Sequence, residues 1–223
     1  MTEDQASGGA LLIIGSKNYS SWSLRPWLFL RKVGFRFREQ IIQFDEPDYQ
    51  AQIAAVSPSR RVPVLIDGGA IIWDSLAICE YAAEAGGKGL PPDRKARALA
   101  RSLAAEMHSS FQALRNECPM NARARNRRVT LTPQLEADIG RVDALWSGCR
   151  KEYGGNWLLG EFSIADAMFA PVCLRFQTYG ARLSPAAQSY LEQSLEDPVL
   201  REWQEAASRE GHPLPEVDRV GSP

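Results

Sequence analysis

Cysteine and histidine are scarce in this chain of 223 residues, which holds only Cys79, Cys118, Cys149, Cys173, His108 and His212. No C-x-x-C and no Cys/His pairing at ligand spacing occurs, so neither a zinc site nor a dithiol redox pair is written into the sequence. The cysteines read as reduced, mostly buried thiols. None lies between Met1 and Ile78, which excludes thiol transfer by a cysteine after the first strand. A Ser-His-Asp hydrolase would have to use His108, and no G-x-S-x-G supplies its nucleophile. The G-x-G-x-x-G and G-x-x-x-x-G-K-[ST] loops are also missing, so dinucleotide and P-loop readings fail. An excess of one charge is lacking too: 26 basic residues face 27 acidic ones, against a dedicated nucleic-acid binder. Mean hydropathy is −0.29, and no apolar run approaches the ~18 residues of a membrane span. The N-terminus, MTEDQASGGA, has neither a basic n-region nor a cleavage pattern, so the expected compartment is the cytoplasm.

What is present divides into two halves. Ala10–Gly15 is a short apolar run that suits a buried strand. A polar loop follows, then a helix over Trp22–Val33 stopped by Gly34. Phe35–Phe44 reads as a second strand and Asp48–Val56 as a short helix. Val62–Asp67 and Ala70–Trp73 are strands joined by Gly68-Gly69, a hairpin signal. Asp74–Ala85 is a third helix. This βαβ unit and ββα unit make a small mixed sheet covered by helices over residues 10–87. Residues 88–94, with Gly, two prolines and charge, are a linker. From 95 to 210 the pattern is helical. Leu99, Leu103, Met107, Phe111, Leu114 and Cys118 form one stripe of a single long helix over Arg94–Cys118. Thr132-Pro133 starts a helix over Gln134–Tyr153. Ser163-Ile-Ala-Asp166 outlines a capping box before Ile164–Phe176, apolar almost all round and so the buried centre of the second domain. Helices over Pro185–Leu195 and Pro198–Arg209 and an irregular tail complete the chain.

Three clusters could carry chemistry, and each has a plainer structural explanation. Asn18-Tyr19-Ser20-Ser21-Trp22-Ser23 lies between a strand end and a helix N-terminus, where free N–H groups and the helix dipole favour an anion. A serine there equally serves as an N-cap. Val62-Pro63 begins a strand; if its peptide is cis, Val62 would offer its backbone to a ligand, while otherwise the proline merely blocks a sheet edge. Asp74-Ser75 at a helix start could hold an ammonium and a carboxylate, or simply cap the helix. The arginine-rich stretch CPMNARARNRR, with Arg123, Arg125, Arg127 and Arg128, reads as a solvated loop or as part of a pocket for an anionic substrate. Arg175, on the apolar helix, is either a carboxylate anchor or one half of a structural ion pair.

Taken in order and spacing, these clusters resemble the soluble glutathione transferases over nearly the whole chain, from Leu11 to about Arg209. SPSRRVPVLID…WDSLAICEYAAE is similar to the family's glutathione-binding stretch, and FSIADAMFAPV to its capping-box motif. Tyr19-Ser20-Ser21-Trp22-Ser23-Leu24-Arg25 resembles the serine motif of the zeta class, which includes maleylacetoacetate isomerases. Trp22 stands where that motif has cysteine, and Arg60-Arg61 where many relatives have Gly-Lys or Lys-Gln.

The resemblance implies a thioredoxin-like βαβαββα domain followed by an all-helical domain, an α/β plus all-α fold. It implies glutathione as co-substrate and a homodimer, beside the expectation from composition of no metal and no nucleic-acid or membrane partner. Ser20, or Ser21 one residue on, would donate a hydrogen bond to the glutathione sulfur. Arg61, Val62, Pro63, Asp74 and Ser75 would hold the rest of the tripeptide. Tyr19, Trp22, His108, Arg115 and Arg175 are the residues expected around the electrophile. The activity implied is attack by a serine-held thiolate on small electrophiles. Two alternatives are a zeta-like cis-trans isomerisation of a maleylacetoacetate-type dicarboxylate and a non-catalytic partner-binding protein of the same fold.

Overall fold

The computed structural model describes residues 9–222. Its sheet has the order β2-β1-β3-β4. Strand β1 (Ala10–Gly15) is parallel to β2 (Phe37–Ile42) and antiparallel to β3 (Val64–Asp67), which pairs in turn with β4 (Ala70–Ile72). Alternation along β1 sends its side chains to two different cores. Leu12 and Ile14 join the main core with α1 (Ser21–Val33) and α3 (Ser75–Gly86). Ile13 joins Ile42, Ile53 and Val64 on the other face, under α2 (Tyr49–Val56). The β3–β4 hairpin turns on Gly68 and Gly69, at φ of 55° and 86°, the left-handed pair that a two-residue turn requires.

From residue 94 the chain is helical. The expected single helix over Arg94–Cys118 is two: α4 (Arg94–Ser109) and α5 (Gln112–Glu117). Phe111 breaks it by adopting φ 66°, ψ 46°, which turns its ring against Phe169 in the core. Arg115 then reaches back to the carbonyls that end α4, donating to Ser110 O at 2.9 Å and to Met107 O. The apolar stripe was real, but periodicity cannot register one left-handed residue within it.

Helix α6 (Pro133–Tyr153) packs on α7 (Ile164–Tyr179) through Trp146, which meets Phe169, Phe176 and Tyr190 edge-on. Helix α7 is the buried centre of the helical half, as its composition demanded. Asp166 anchors its start, accepting from Ser163 N at 2.8 Å, Ser163 Oγ at 3.0 Å, Leu158 N at 3.0 Å and Tyr190 Oη at 3.0 Å. Helices α8 (Pro185–Glu196) and α9 (Pro198–Arg209) follow. The tail, expected to be irregular, forms a one-turn helix α10 (Pro215–Asp218). The sheet and the helices share one core, with Trp27 of α1 against Trp203 of α9 at 5.1 Å. All four cysteines are free and buried, and burial raises the thiols of Cys118 and Cys149 to about 11 and that of Cys173 to about 12. Among the described residues no helix is long and apolar enough to cross a membrane.

Candidate active site

The loop from Ser16 to Ser20 carries the first cluster, and the C-terminal segment holds it. Glu210 accepts from Ser16 Oγ at 2.6 Å, Lys17 N at 2.7 Å and Asn18 N at 2.9 Å. The backbone donors that the sequence placed free at this strand end are therefore partly used within the protein. A carboxylate is the natural acceptor for several converging donors, but one so distant in sequence carries no local signal. Tyr19 Oη donates to Asp218 Oδ2 at 2.8 Å and accepts from Arg123 Nη2 at 2.7 Å and Leu214 N at 3.0 Å. Arg123 also donates to Glu210 O, and Arg125 to the carbonyls of Ala122 and Ala124. The arginine-rich stretch is thus a loop whose Arg125 and Arg128 remain exposed, as a solvated loop requires, while Arg123 is tied to the tail and the Arg127 and Arg128 N–H groups donate to Thr178 O and Gly221 O.

Ser20 N-caps α1, its Oγ accepting from Ser23 N at 3.3 Å and donating to Ser23 Oγ at 2.7 Å. Ser23 Oγ also accepts from Gly15 N at 3.0 Å, tying strand end to helix start. Ser20 and Ser21 are both buried, and both line a small cavity of about 290 Å³ with Tyr19, Trp22, Arg61 and Val62. The sequence pointed to Ser21 or Ser23 as the N-cap; the cap is Ser20, and Ser23 lies at the N3 position that it addresses.

The small cavity shares Trp22, Arg61 and Val62 with a larger one of about 540 Å³. This second cavity brings together all five residues assigned to glutathione: Arg61, Val62, Pro63, Asp74 and Ser75. Each has a local cause. Ser57 Oγ donates to Arg61 O at 2.7 Å and accepts from Arg61 N at 3.2 Å, shaping the turn before β3. The Val62–Pro63 peptide is cis, and the β1–β3 ladder begins only at Val64, leaving Val62 outside the sheet. Asp74 Oδ1 caps α3 by accepting from Leu76 N at 3.0 Å, as the plain explanation required. Its Oδ2 nevertheless turns to the cavity, 3.0 Å from His108 Nε2. Ser75 Oγ is fully buried and has no partner among the described residues. An unpaired buried hydroxyl is costly, and one lining a cavity fits a polar ligand.

The residues expected around the electrophile are dispersed. Trp22 and His108 line the larger cavity, with rings 5.2 Å apart. Tyr19 turns its hydroxyl to the tail. Arg115 does not line the larger cavity but stacks on Trp22 at 4.9 Å. Arg25 stacks on Trp22 at 4.3 Å. Arg25 is fully buried, none of its three side-chain nitrogens has a hydrogen-bond partner among the described residues, and burial followed by Arg115 and Arg175 pushes its pKa well below the arginine range. Arg175 lines a third cavity altogether. Among the described residues no group of three or more His, Cys, Asp or Glu side chains could hold a metal ion.

The profile of the glutathione S-transferase N-terminal domain matches residues 19–85, the stretch holding both cavities' N-terminal walls. A probable maleylacetoacetate isomerase of Caenorhabditis elegans is 31% identical over 177 residues, covering 74% of this chain and 78% of that protein. The chain belongs to the glutathione S-transferase family. Its similarity runs toward the zeta side of that family: the maleylacetoacetate isomerase of Rattus norvegicus is 24% identical over 183 residues, 80% of this chain and 83% of that one. Two solved structures share the fold. A glutathione transferase homologue from Burkholderia with bound glutathione has a TM-score of 0.69 at 23% identity, covering 89% of this chain and 98% of that one. A zeta-class bacterial maleyl pyruvate isomerase has a TM-score of 0.68 at 18% identity, covering 91% and 100%.

Proposed function

We propose that the protein is a glutathione-dependent enzyme in which Ser20 holds the tripeptide's sulfur as a thiolate for attack on a small electrophile. The observation that carries this reading is the convergence of Arg61, Val62, Pro63, Asp74 and Ser75 on one cavity that adjoins Ser20. Asp74 and the unpartnered Ser75 hydroxyl suit the charged γ-glutamyl end, Val62 the peptide backbone, and Arg61 the glycine carboxylate. When bound, glutathione supplies the sulfur nucleophile, which is active only as thiolate and has an ordinary pKa of ~8.5. Lowering that value by two units takes ~2.7 kcal/mol of preferential stabilisation. The Ser20 hydroxyl and the N-terminus of α1 can provide it together. Ser20 has one proton, directed at Ser23 Oγ in this structure. Rotation toward a sulfur leaves the Ser23 hydroxyl to donate to Ser20 in its place.

A second reading, glutathione-dependent cis-trans isomerisation of a maleylacetoacetate-type dicarboxylate, is favoured by the names of the curated relatives and by the two guanidiniums stacked on Trp22. Isomerisation regenerates glutathione, whereas transfer consumes it. A homodimer, as the family resemblance implies, would cover the half-exposed Ile71 of edge strand β4 and Trp73, which follows that strand and lines the larger cavity.

The test is calorimetric titration with glutathione, with the bound thiol followed by ultraviolet absorbance, on the wild type and Ser20→Ala. Binding by both proteins, with thiolate formation below pH 7 in the wild type alone, is expected. Failure of the wild type to bind at millimolar glutathione overturns the enzyme reading and leaves the partner-binding alternative. Glutathione consumption per product formed then separates transfer from isomerisation.

A further inference from the structure

Arg25 stands on α1 shortly beyond Ser20, with no exposed surface and no acid bonded to it. Its Nε, Nη1 and Nη2 atoms all lack hydrogen-bond partners among the described residues. After burial, the strongest influences on it are two further cations, Arg115 and Arg175. Arg175 is itself buried and donates to Cys118 O at 2.8 Å and Pro171 O at 3.5 Å, both neutral carbonyls, so the ion pair expected for it is not realised. Asp74 is the last and weakest influence on Arg25; it caps α3 with one oxygen and turns the other to His108.

Such a charge is costly. Taking a guanidinium out of water without a carboxylate lowers stability, and an apolar side chain of similar volume would pack there more favourably. Neutralisation offers no escape, because arginine keeps its proton even when buried. A residue that lowers stability calls for a role in function when it lies beside a site.

The position of Arg25 supplies that role. Its guanidinium stacks on Trp22 at 4.3 Å, and Arg115 stacks on the same indole at 4.9 Å. Trp22 lines both the cavity at Ser20 and the larger one, whereas Arg25 and Arg115 line neither. The indole therefore stands between the two charges and whatever the cavities hold. Water cannot enter between a fully buried guanidinium and that ring, so protein alone attenuates its field. At an effective dielectric of ~20, a unit charge ~8 Å away moves a pKa by about one unit or more.

We propose that Arg25 is a positioning residue for the thiolate: with Arg115 beside it, its charge acts across Trp22 to stabilise ionised sulfur in the cavity at Ser20. The proposal rests on the reading of that cavity as the place of the sulfur. The test is ultraviolet titration of the bound glutathione thiol in the wild type, Arg25→Met and Arg25→Lys, with thermal melts of each. Arg25→Met should raise the thiol pKa by about one unit. It should also melt no lower than the wild type, since an unpaired charge has left the interior. Arg25→Lys, which keeps the charge, should retain most of the wild-type shift. An unchanged titration in Arg25→Met overturns the proposal. So does an equal loss in Arg25→Lys, which would make the stacked plane, not the charge, the feature that matters. A wild type that binds glutathione without forming thiolate below pH 7 rejects the Ser20 reading and this proposal together. Thiolate formed equally by the wild type and Arg25→Met rejects Arg25 alone. Should Arg25→Met not fold, Arg115→Met on the half-buried second guanidinium decides, and an unshifted thiol there rejects the proposal.

Discussion

Glu210 Oε2 accepts a hydrogen bond from Ser16 Oγ at 2.6 Å across 194 residues of sequence. With Lys17 N and Asn18 N on the same carboxylate, the end of α9 fixes the loop that delivers Ser20. Asp218 and Arg123 fix the next residue through Tyr19. The helical half therefore does more than roof the site: it sets the position of its first serine.

Glu210→Gln is expected to cost about 2 kcal/mol of stability, because a charged acceptor of three donors becomes a neutral one. Amide exchange in residues 16–20 should rise well above that of β1, and the glutathione thiol should titrate at higher pH than in the wild type. Unchanged exchange in this loop would mean that the clamp is incidental.

Ser20 has a structural task as well as the proposed chemical one. As the N-cap of α1 it should cost about 1 kcal/mol when replaced by alanine. Ser21→Ala, which removes no capping bond, should remain within about 0.5 kcal/mol of the wild type and keep the thiolate shift. If the shift disappears in Ser21→Ala and survives in Ser20→Ala, the roles of the two serines are exchanged.

Asp74 offers one oxygen to the α3 N-terminus and the other to the cavity. Asp74→Asn should raise the KM for glutathione by about ten-fold or more with a smaller effect on kcat, the signature of a lost ground-state contact. His108→Ala, which removes the imidazole beside Oδ2 and leaves the cap intact, should raise KM only a few-fold. A fall in kcat at constant KM would place Asp74 in the chemistry instead.

Asp166 provides a pH test of the capping box. Burial is the largest influence on its carboxyl and lifts it from 3.8 to about 6, against the opposing pull of its hydrogen bonds. A raised folded value means that the folded state holds this proton more tightly than the unfolded chain does. Its contribution to stability is thus complete below about pH 3.8 and is lost as pH rises through about 6. In urea titrations, the stability of the wild type relative to Asp166→Asn should fall between those limits and level off above them. A difference that grows with pH would show a depressed carboxyl.

Local pattern was enough for the framework. The apolar run at Ala10–Gly15, the Gly68-Gly69 turn, the Thr132-Pro133 start and the Ser163…Asp166 box each specify a nearby geometry, and the elements formed where those signals lay. The five residues that the family resemblance assigned to glutathione meet in one cavity, although V-P and D-S by themselves pointed only to a sheet edge and a helix cap. The break at Phe111 was not legible, since one left-handed residue leaves the apolar spacing intact and is chosen by the aromatic partner it gains.

The sequence by itself determined the mixed sheet and the helical half. Those depend on periodicity, capping and turn chemistry, which act over a few residues. Only the tertiary structure decided that Glu210 and Asp218 hold the serine loop, that Arg123 belongs to that clamp, and that Arg175 faces a cavity of its own. Hydrogen bonds and charges find partners across the fold wherever packing brings donors and acceptors together. Sequence spacing records which groups must be satisfied, and the assembled core decides by which neighbours.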